Sequence, residues 1–497
     1  MTNNNEHFPS MVNDTALPQA FETSIRRLFG EARYERFREA LQLPQQPTIR
    51  LNPFKWPVRE PQDKKILEPV PWCAEGLSLP HRPDFTFDPL FHAGAYYVQE
   101  SSSMFVSHVV KHLVTTPVTV LDLCAAPGGK TTTLRASLPA GSIVVANEPM
   151  KVRASILSEN VQKQGHPDVI VTNNYPRDFR KAGITFDFIL ADVPCSGEGM
   201  FRKDPQAVGE WSPQNVANCA QLQRSIIEDI WPTLRPGGFL VYSTCTFNEQ
   251  EDEENIRWIV DNLGGQLLDI PVDPQWHITG ALGSSLPATA NGKKDESRQS
   301  VFRFIPGFTP GEGLFMAVLQ KPQAETLDQP RKKRPTSLRI KPSSSQKTVL
   351  PWLMDDPALG KNTWTVIDTP TLIRAIPTRW LPLYEKASDA LHLIHAGVGI
   401  GTSKGKDIVP SASLALSTML NPSAFPRVEI GWEQAMLYLR KEAIALPDGT
   451  PRGLVLVTYR GLALGFCKNI GNRANNLFPQ EWKIKTTHLP EQASDVI

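Results

Sequence analysis

Val120-Leu121-Asp122-Leu123-Cys124-Ala125-Ala126-Pro127-Gly128-Gly129-Lys130-Thr131 decides how this chain is read. A short apolar strand ends in an aspartate, then a small-residue turn with two glycines, then a lysine opening a helix-forming stretch over residues 130–138. Strand, glycine turn and helix in that order make the first unit of a parallel α/β sheet, with the turn at the strand's carboxyl end, where open sheets build their sites. Working outward, residues 118–123, 143–147, 168–172, 187–191 and 239–244 read as strands, and 130–138, 151–164 and 215–234 as helices. Such alternation implies an α/β fold, a doubly wound parallel sheet with helices on both faces. Residues 301–305 and 314–319 flank a Gly/Pro-rich turn and read as a late antiparallel hairpin.

The chain has 497 residues and a formal net charge of +1, a length for two or three domains. Charge near zero excludes a uniformly basic coat but leaves room for a local basic track. No apolar run is long enough to span a bilayer. The start, Met1-Thr2-Asn3-Asn4-Asn5-Glu6, lacks the basic-then-apolar form of a secretion signal, so a cytoplasmic protein is expected. Residues 1–115 form an N-terminal module with a helix-like stretch over 21–43, and residues 116–320 form the α/β domain. Residues 321–350, with Arg331, Lys332, Lys333 and Arg334 among prolines and serines, form a basic flexible linker. Residues 351–497 are globular again, with paired strands at 453–459 and 462–466 and a helix over 432–442.

The end of the opening stretch, Gly129-Lys130-Thr131, nearly completes a phosphate-binding P-loop, but the first glycine of that motif falls at Cys124, whose side chain would obstruct a phosphate. A nucleoside pocket is the alternative. Asp122 ends the first strand, and Glu148 ends the second, about 20 residues beyond Gly129, where a carboxylate accepts from ribose hydroxyls.

The six cysteines, Cys73, Cys124, Cys195, Cys219, Cys245 and Cys467, show no metal-ligand spacing, and no metal is expected. Cys195 lies in Asp192-Val193-Pro194-Cys195-Ser196-Gly197-Glu198-Gly199, and Cys245 in Tyr242-Ser243-Thr244-Cys245-Thr246-Phe247. Each follows a strand, and two thiols at two strand ends point to nucleophilic chemistry. Taken alone, either would be a buried apolar cysteine. Cys219 forms a helical stripe with Leu222, Ile226 and Ile230 and is read as core; Cys73 and Cys467 are read as structural. Asn248-x-x-Glu251 resembles a capping box, and a helix N-terminus favours a thiolate. The acidic run Glu249, Glu251, Asp252, Glu253 and Glu254 opposes it.

Together these motifs resemble the RNA cytosine-C5 methyltransferases of the Nop2/Sun/Rsm family, strongly from about residue 48 to 320. The resemblance implies a class I methyltransferase domain that uses S-adenosylmethionine, held by Cys124, Ala125, Ala126, Pro127, Gly128, Gly129, Lys130 and Glu148, with Asp192 nearby. Where the family often has an aspartate near adenine, this chain has Asn174-Tyr175; Asn174, a backbone amide or stacking on Tyr175 would serve instead. The resemblance makes Cys245 the nucleophile on cytosine C6 and sets Asp192 at the N3 edge. Cys195 becomes the residue that assists release. Arg50-Leu51-Asn52 and the segment with Gln99 resemble family elements, the latter near the target base. Met200-Phe201-Arg202-Lys203 would clamp RNA, and Arg303 and Phe315 would be structural. The C-terminal domain resembles a PUA-like RNA-binding domain. The implied partner is RNA, 16S rRNA or the small ribosomal subunit, and a monomer is expected. The competing readings are a noncatalytic RNA-binding ribosome-assembly factor, an enzyme acting on tRNA, and a methyltransferase of protein or DNA.

Overall fold

The computed structural model describes residues 16–56, 67–283, 286–287, 298–323, 340–355, 360, 363–405, 407–486, 489–493 and 496–497. The five expected strands form as β1 (Thr119–Asp122), β2 (Ile143–Asn147), β3 (Val169–Thr172), β4 (Phe186–Asp192) and β5 (Leu234–Thr244). They run parallel in the order β3-β2-β1-β4-β5. β2 and β3 are buried along their whole length, so neither shows polar alternation in sequence. The late hairpin also forms. β8 (Leu314–Gln320) lies antiparallel to β5, flanked by β6 (Gln266–Leu267) and β7 (Val301–Phe304).

The other edge comes from far along the chain. β9 (Leu393–Ala396) pairs antiparallel with β3 and completes a nine-stranded sheet. The C-terminal region therefore contributes a strand to the central sheet and covers an edge that would otherwise present unpaired backbone groups. Nothing in Leu393-Ile394-His395-Ala396 marks it as a strand, because a short run with a buried His395 lacks a clear apolar pattern.

The two sheet faces carry separate apolar cores, one with Met104, Phe105, Val109 and Leu134, the other with Phe179, Ile227, Ile230 and Tyr384. The helices that follow the strands are α3 (Gly129–Ser137), α4 (Lys151–Gln164), α5 (Pro213–Ile230) and α6 (Glu253–Leu263). The buried face of α5 is Val216, Ala220, Gln223, Ile227 and Ile230, and Leu222 is 49% exposed. The expected Cys219–Leu222 core stripe is thus rotated, because a polar residue, Gln223, occupies the buried face.

The helix-like stretch near the N-terminus is two helices, α1 (Gln19–Phe29) and α2 (Glu31–Leu41), broken at Gly30, whose φ of +75° a helix does not admit. Phe21, Ile25, Phe29 and Phe37 bury themselves against Phe201, Trp211 and Phe247, beside the Cys195 and Cys245 loops. A four-stranded sheet (Glu68–Val70, Cys73–Ser78, Thr48–Leu51, Tyr96–Val98) follows, and shares a core with the last C-terminal sheet: Leu51, Phe87 and Tyr96 cluster with Ile430, Tyr438 and Val457. Most of the expected linker, 324–339, lies outside the described residues. Its end, 340–350, folds onto the C-terminal region, where Ser343 donates to Asp368 and Val349 is buried. Among the described residues, no helix is long and apolar enough to cross a membrane.

Candidate active site

The carboxyl ends of β1, β2 and β3 meet at Asn147, a fully buried residue that the sequence did not single out. Its amide donates to Leu123 O (3.1 Å) and Asn174 O (2.9 Å), and its Oδ1 accepts from Asn174 N (3.0 Å) and Thr172 Oγ1 (2.9 Å). One side chain therefore spaces three loops. Its backbone carbonyl accepts from Ala125 N at 2.8 Å, fixing the start of the Cys124–Lys130 turn. Pro127 follows a cis peptide, and its carbonyl accepts from Asn160 on α4 (2.8 Å), while Ala126 O accepts from Arg153. Gly128 has φ +117°, and a Cβ there would press on Leu157 and Asn160 at 3.3 Å. The turn then opens α3, whose first turn has no side-chain cap and so keeps free N–H groups. Burial pushes the Cys124 thiol up, which keeps it neutral.

Thr131 donates to Asp122 Oδ2 at 2.6 Å and is fully buried, so it does not offer the hydroxyl that a P-loop gives to a metal. Burial lifts Asp122 to about 7, against the pull of the Thr131 hydrogen bond. Among the described residues, Asp122 Oδ1 has no hydrogen-bond partner, nor has Glu148 Oε2, which lies 3.3 Å from the Arg153 guanidinium. Two buried carboxylates with unfilled acceptor capacity suit a ligand bearing hydroxyl and amine donors, as the nucleoside and amino acid ends of S-adenosylmethionine do. Tyr175 is 58% exposed, its ring 5.5 Å from the Arg177 guanidinium.

At the other end of the cleft the two thiols meet. Cys195 Sγ lies 2.8 Å from Cys245 Sγ. A hydrogen bond to Cys245, then burial and the nearby charges of Cys245 and Glu251, hold the Cys195 thiol well above its ordinary range. Cys195 thus stays protonated, and the two sulfurs share a hydrogen bond in which either can donate. Asp192 accepts from Lys130 Nζ (2.9 Å) and Ser243 Oγ (2.6 Å). Burial pulls the Lys130 ammonium down, but the adjacent Asp192 carboxylate more than offsets this and its pKa is raised. A cavity of about 380 Å³ opens over Cys245, Asp192 and Lys130, with Gln99, Met200, Lys203 and Gly313 also on its walls. Cys124, Ala125, Ala126, Pro127 and Gly129 reach the same cavity. Glu148, Asn174 and Tyr175 do not; they sit at the far end, beyond the turn.

Behind the thiols two buried glutamates tie the loops together. Glu198 accepts from Phe247 N (2.6 Å), Asn248 N (3.2 Å), Asn248 Nδ2 (3.0 Å) and Trp211 Nε1 (3.0 Å). Glu251 accepts from Ser196 N (3.0 Å), Gln223 (2.7 Å) and Asn248 Nδ2 (2.9 Å). Gly199 N donates directly to Cys245 O at 2.7 Å. The expected capping box is half formed. Asn248 Oδ1 accepts from Glu251 N, but α6 starts at Glu253 and Glu251 is drawn into the loop network instead. The acidic run is answered by buried Arg303, which pairs with Asp252 and Glu253 and donates to Phe247 O at 2.8 Å. Only the pattern E-G at 198–199 hinted at Glu198, and nothing flagged Gln223.

Arg50 and Asn52 are buried docking residues. Arg50 donates to Gln99 and to Thr132 on α3, and Asn52 donates to Gly94 O and Gln164 O. Of the expected RNA clamp, Phe201 is buried against Phe21 and Arg202 is bound to Glu312 and Gly311 O. Only Met200 and Lys203 remain partly exposed at the cavity.

Residues 114–320 match the family model of 16S rRNA methyltransferase RsmB/F, residues 17–101 the N-terminal domain of 16S rRNA methyltransferase RsmF, and residues 425–484 the methyltransferase RsmF PUA domain. The chain is 30% identical to ribosomal RNA small subunit methyltransferase F of Aliivibrio fischeri, over 94% of this chain and 97% of that one. It is 31% identical to the protein of that name from Cronobacter sakazakii, over 94% and 96%. Among solved structures, PH0851 aligns with a TM-score of 0.50 at 26% identity, over 61% of this chain and 66% of that one. The chain uses S-adenosylmethionine as its cofactor and belongs to the ribosomal RNA small subunit methyltransferase F family.

Proposed function

We propose that this protein transfers a methyl group to C5 of a cytosine in RNA, the RNA being 16S rRNA of the small ribosomal subunit, through a covalent bond between Cys245 and cytosine C6. The observation that carries this reading is the meeting of two thiols from different strand ends, 2.8 Å apart, of which Cys245 lines the same cavity as an Asp192–Lys130 pair. The name shared by the relatives supports 16S rRNA as the substrate. Bound S-adenosylmethionine supplies an electrophilic methyl group.

Cytosine C5 is a weak nucleophile, and a thiolate added at C6 makes it enamine-like, which splits one hard step into easier ones. Cys245 forms the C–S bond. The electron density displaced from the C5–C6 double bond is taken up along the ring toward N3. Asp192 with Lys130 beside it lends a proton to N3 and takes it back as C5 forms its bond to the methyl group, whose bond to the sulfonium sulfur breaks to leave S-adenosylhomocysteine. The hydrogen bond with Cys245, then burial, keep the Cys195 thiol protonated. Once Cys245 is a thioether bound to the base, that hydrogen bond is weakened, and Cys195 ionises more readily. It then takes the C5 proton, the C5–H electrons restore the double bond, and the C6–S bond breaks to return Cys245 as thiolate. A base stacked in a helix exposes neither face to such attack, so the target is unpaired or flipped out.

The test is covalent trapping. The Cys195→Ala variant is mixed with labelled unmodified 16S rRNA and S-adenosylmethionine and then denatured. A protein–RNA adduct that vanishes in Cys195→Ala/Cys245→Ala is expected. No adduct, alongside wild-type protein that methylates the same RNA, would overturn the two cysteine roles. No adduct and no methyl transfer to free RNA or to subunits would favour a noncatalytic assembly factor.

A further inference from the structure

The nucleoside end of the cleft is held from outside the methyltransferase domain. β9 pairs with β3 through Leu393 opposite Thr172, and the residue before β9, His392, reaches the loop that follows β3. Its backbone N–H donates to Asn174 Oδ1 (3.0 Å), and its carbonyl accepts from Asn173 N (3.0 Å). Asn173 then passes the contact on. Its side-chain amide donates to the carbonyls of both Glu148 and Pro149, each at 2.8 Å. Asn174 is meanwhile fixed to Asn147 through its own backbone N–H and carbonyl. A continuous hydrogen-bonded path therefore runs from the C-terminal region through residues 173–174 to the backbone of Glu148, with no step longer than 3.0 Å on this route.

We propose that the C-terminal region is a working part of the cofactor pocket: His392 and β9 position Asn173 and Asn174, and through them Glu148, so that this region sets the affinity for S-adenosylmethionine. The proposal rests on the reading of Glu148 as the nucleoside ligand. His392 acts through its main chain, so its side chain is immaterial, and the segment is exposed at this residue. Asn173 is a positioning residue. The residues involved, 392–396, precede the part that matches the PUA model, 425–484. Any movement of the C-terminal region on RNA would be read at the cofactor, and by reciprocity bound cofactor would favour one setting of that region.

The arrangement makes a specific demand on variants. His392→Pro removes the N–H while the preceding Leu391, at φ −121° and ψ 153°, already has the extended backbone that proline requires of its neighbour. His392→Ala keeps the N–H. Asn173→Ala removes both donors to the Glu148 loop. Affinity for S-adenosylhomocysteine is measured by titration calorimetry on the full chain, with melting curves taken on every variant. Steady-state KM for S-adenosylmethionine and kcat are measured on 16S rRNA.

Asn173→Ala and His392→Pro should each weaken S-adenosylhomocysteine binding about three- to tenfold, the scale of one or two hydrogen bonds. KM for the cofactor should rise in step while kcat at saturation holds, and His392→Ala should match wild type. A general loss of structure would lower kcat and melting temperature together instead. Glu148→Ala separates the two layers. If it weakens binding while Asn173→Ala and His392→Pro bind as wild type, the inference falls and the reading of Glu148 stands. If Glu148→Ala itself binds as wild type, the reading of Glu148 falls and the inference with it. Should His392→Pro fail to fold, Asn173→Ala alone decides.

Discussion

The two ends of the cleft are built by opposite means. At the thiol end, the loops carrying Cys195 and Cys245 are bound to each other through Glu198, Asn248 and Glu251, with Trp211, Gln223 and Arg303 behind them and the N-terminal helices packed outside. At the nucleoside end, the loops after β2 and β3 are held by Asn147 and by His392, which lies 218 residues beyond Asn174. The thiol end is therefore a clamp in which the two loops are hydrogen-bonded to each other, and the nucleoside end a joint between two parts of the chain. A clamp fixes geometry to the fraction of an ångström that bond formation requires, whereas a joint couples affinity to the arrangement of a neighbouring region.

The sharpest way to break this contrast is at the nucleophile. Cys245→Ala should lower methyl transfer by about 10⁴-fold or more, since no other thiol can reach C6 from the same strand end. Binding of S-adenosylhomocysteine should stay within about twofold of wild type, because the nucleoside end does not depend on Cys245. Labelled-methyl incorporation and calorimetry check the two halves. A large loss of cofactor affinity would mean that the ends are not separable.

Glu198 tests whether the clamp matters to the reaction. Its carboxylate gathers four donors from Trp211, Phe247 and Asn248, and Glu198→Ala leaves Trp211 Nε1 and the Phe247 and Asn248 backbone N–H groups without that acceptor, while Asn248 Nδ2 keeps Glu251. A shift of the Cys245 loop should lower kcat about 10²-fold with little change in cofactor KM. The same residue gives a pH test. Burial lifts its carboxyl from 4.5 to about 7. A folded value above the unfolded one means that the folded state holds the proton more tightly. The stability this contributes is complete below about 4.5 and lost as pH rises through about 7. Glu198→Gln cannot titrate in that window. Wild-type stability should thus fall relative to Glu198→Gln between those pH values, by on the order of 3 kcal/mol. Parallel denaturation curves across the window would show that Glu198 does not carry the shift.

What the sequence made legible follows the same division. The strands β1 to β5, the glycine turn and both cysteine loops were readable because each is a local pattern: an apolar run, then a short polar or small-residue motif. Asn147, Gln223 and β9 were not readable. A buried asparagine or glutamine looks like any surface residue until its partners are known, and those of Asn147 lie on two other strands. Gln223 occupies the buried face of α5 because it donates to Pro194 O and Glu251 and accepts from Tyr242, which displaced the apolar stripe assigned to Cys219 and Leu222. β9 is four residues long and meaningful only as the partner of β3. The Phe201-Arg202 pair was misread as an RNA clamp because its helix partners, Phe21 and Ala40 O, lie some 160 to 180 residues away.

Asn147→Ala sharpens the joint side of the comparison with a smaller effect. The variant loses four hydrogen bonds that space the ends of β1, β2 and β3. Affinity for S-adenosylhomocysteine should drop about tenfold, and stability by about 2–4 kcal/mol, while kcat at saturating cofactor falls less than twofold. Urea denaturation and calorimetry on one preparation separate the two. A kcat loss as large as that of Glu198→Ala would erase the distinction between clamp and joint.

The smallest effect belongs to Cys219, and its smallness is informative. Cys219 lies on α5, half-buried, with its sulfur 3.9 Å from Asn215 Oδ1 one turn earlier. Burial pushes its thiol up to about 11, so at neutral pH it stays protonated and is a poor nucleophile. It does not line the cavity, and Cys219→Ala removes one sulfur from a partly solvated helix face. Activity and cofactor affinity should remain within twofold of wild type, and stability within about 1 kcal/mol. Alkylation adds a second measure: iodoacetamide at pH 7.5 should inactivate Cys219→Ala as fast as wild type, while bound S-adenosylhomocysteine slows both equally. A Cys219→Ala protein that resisted inactivation would move the reactive thiol out of the Cys195–Cys245 pair and onto α5, and the clamp would lose its chemical meaning.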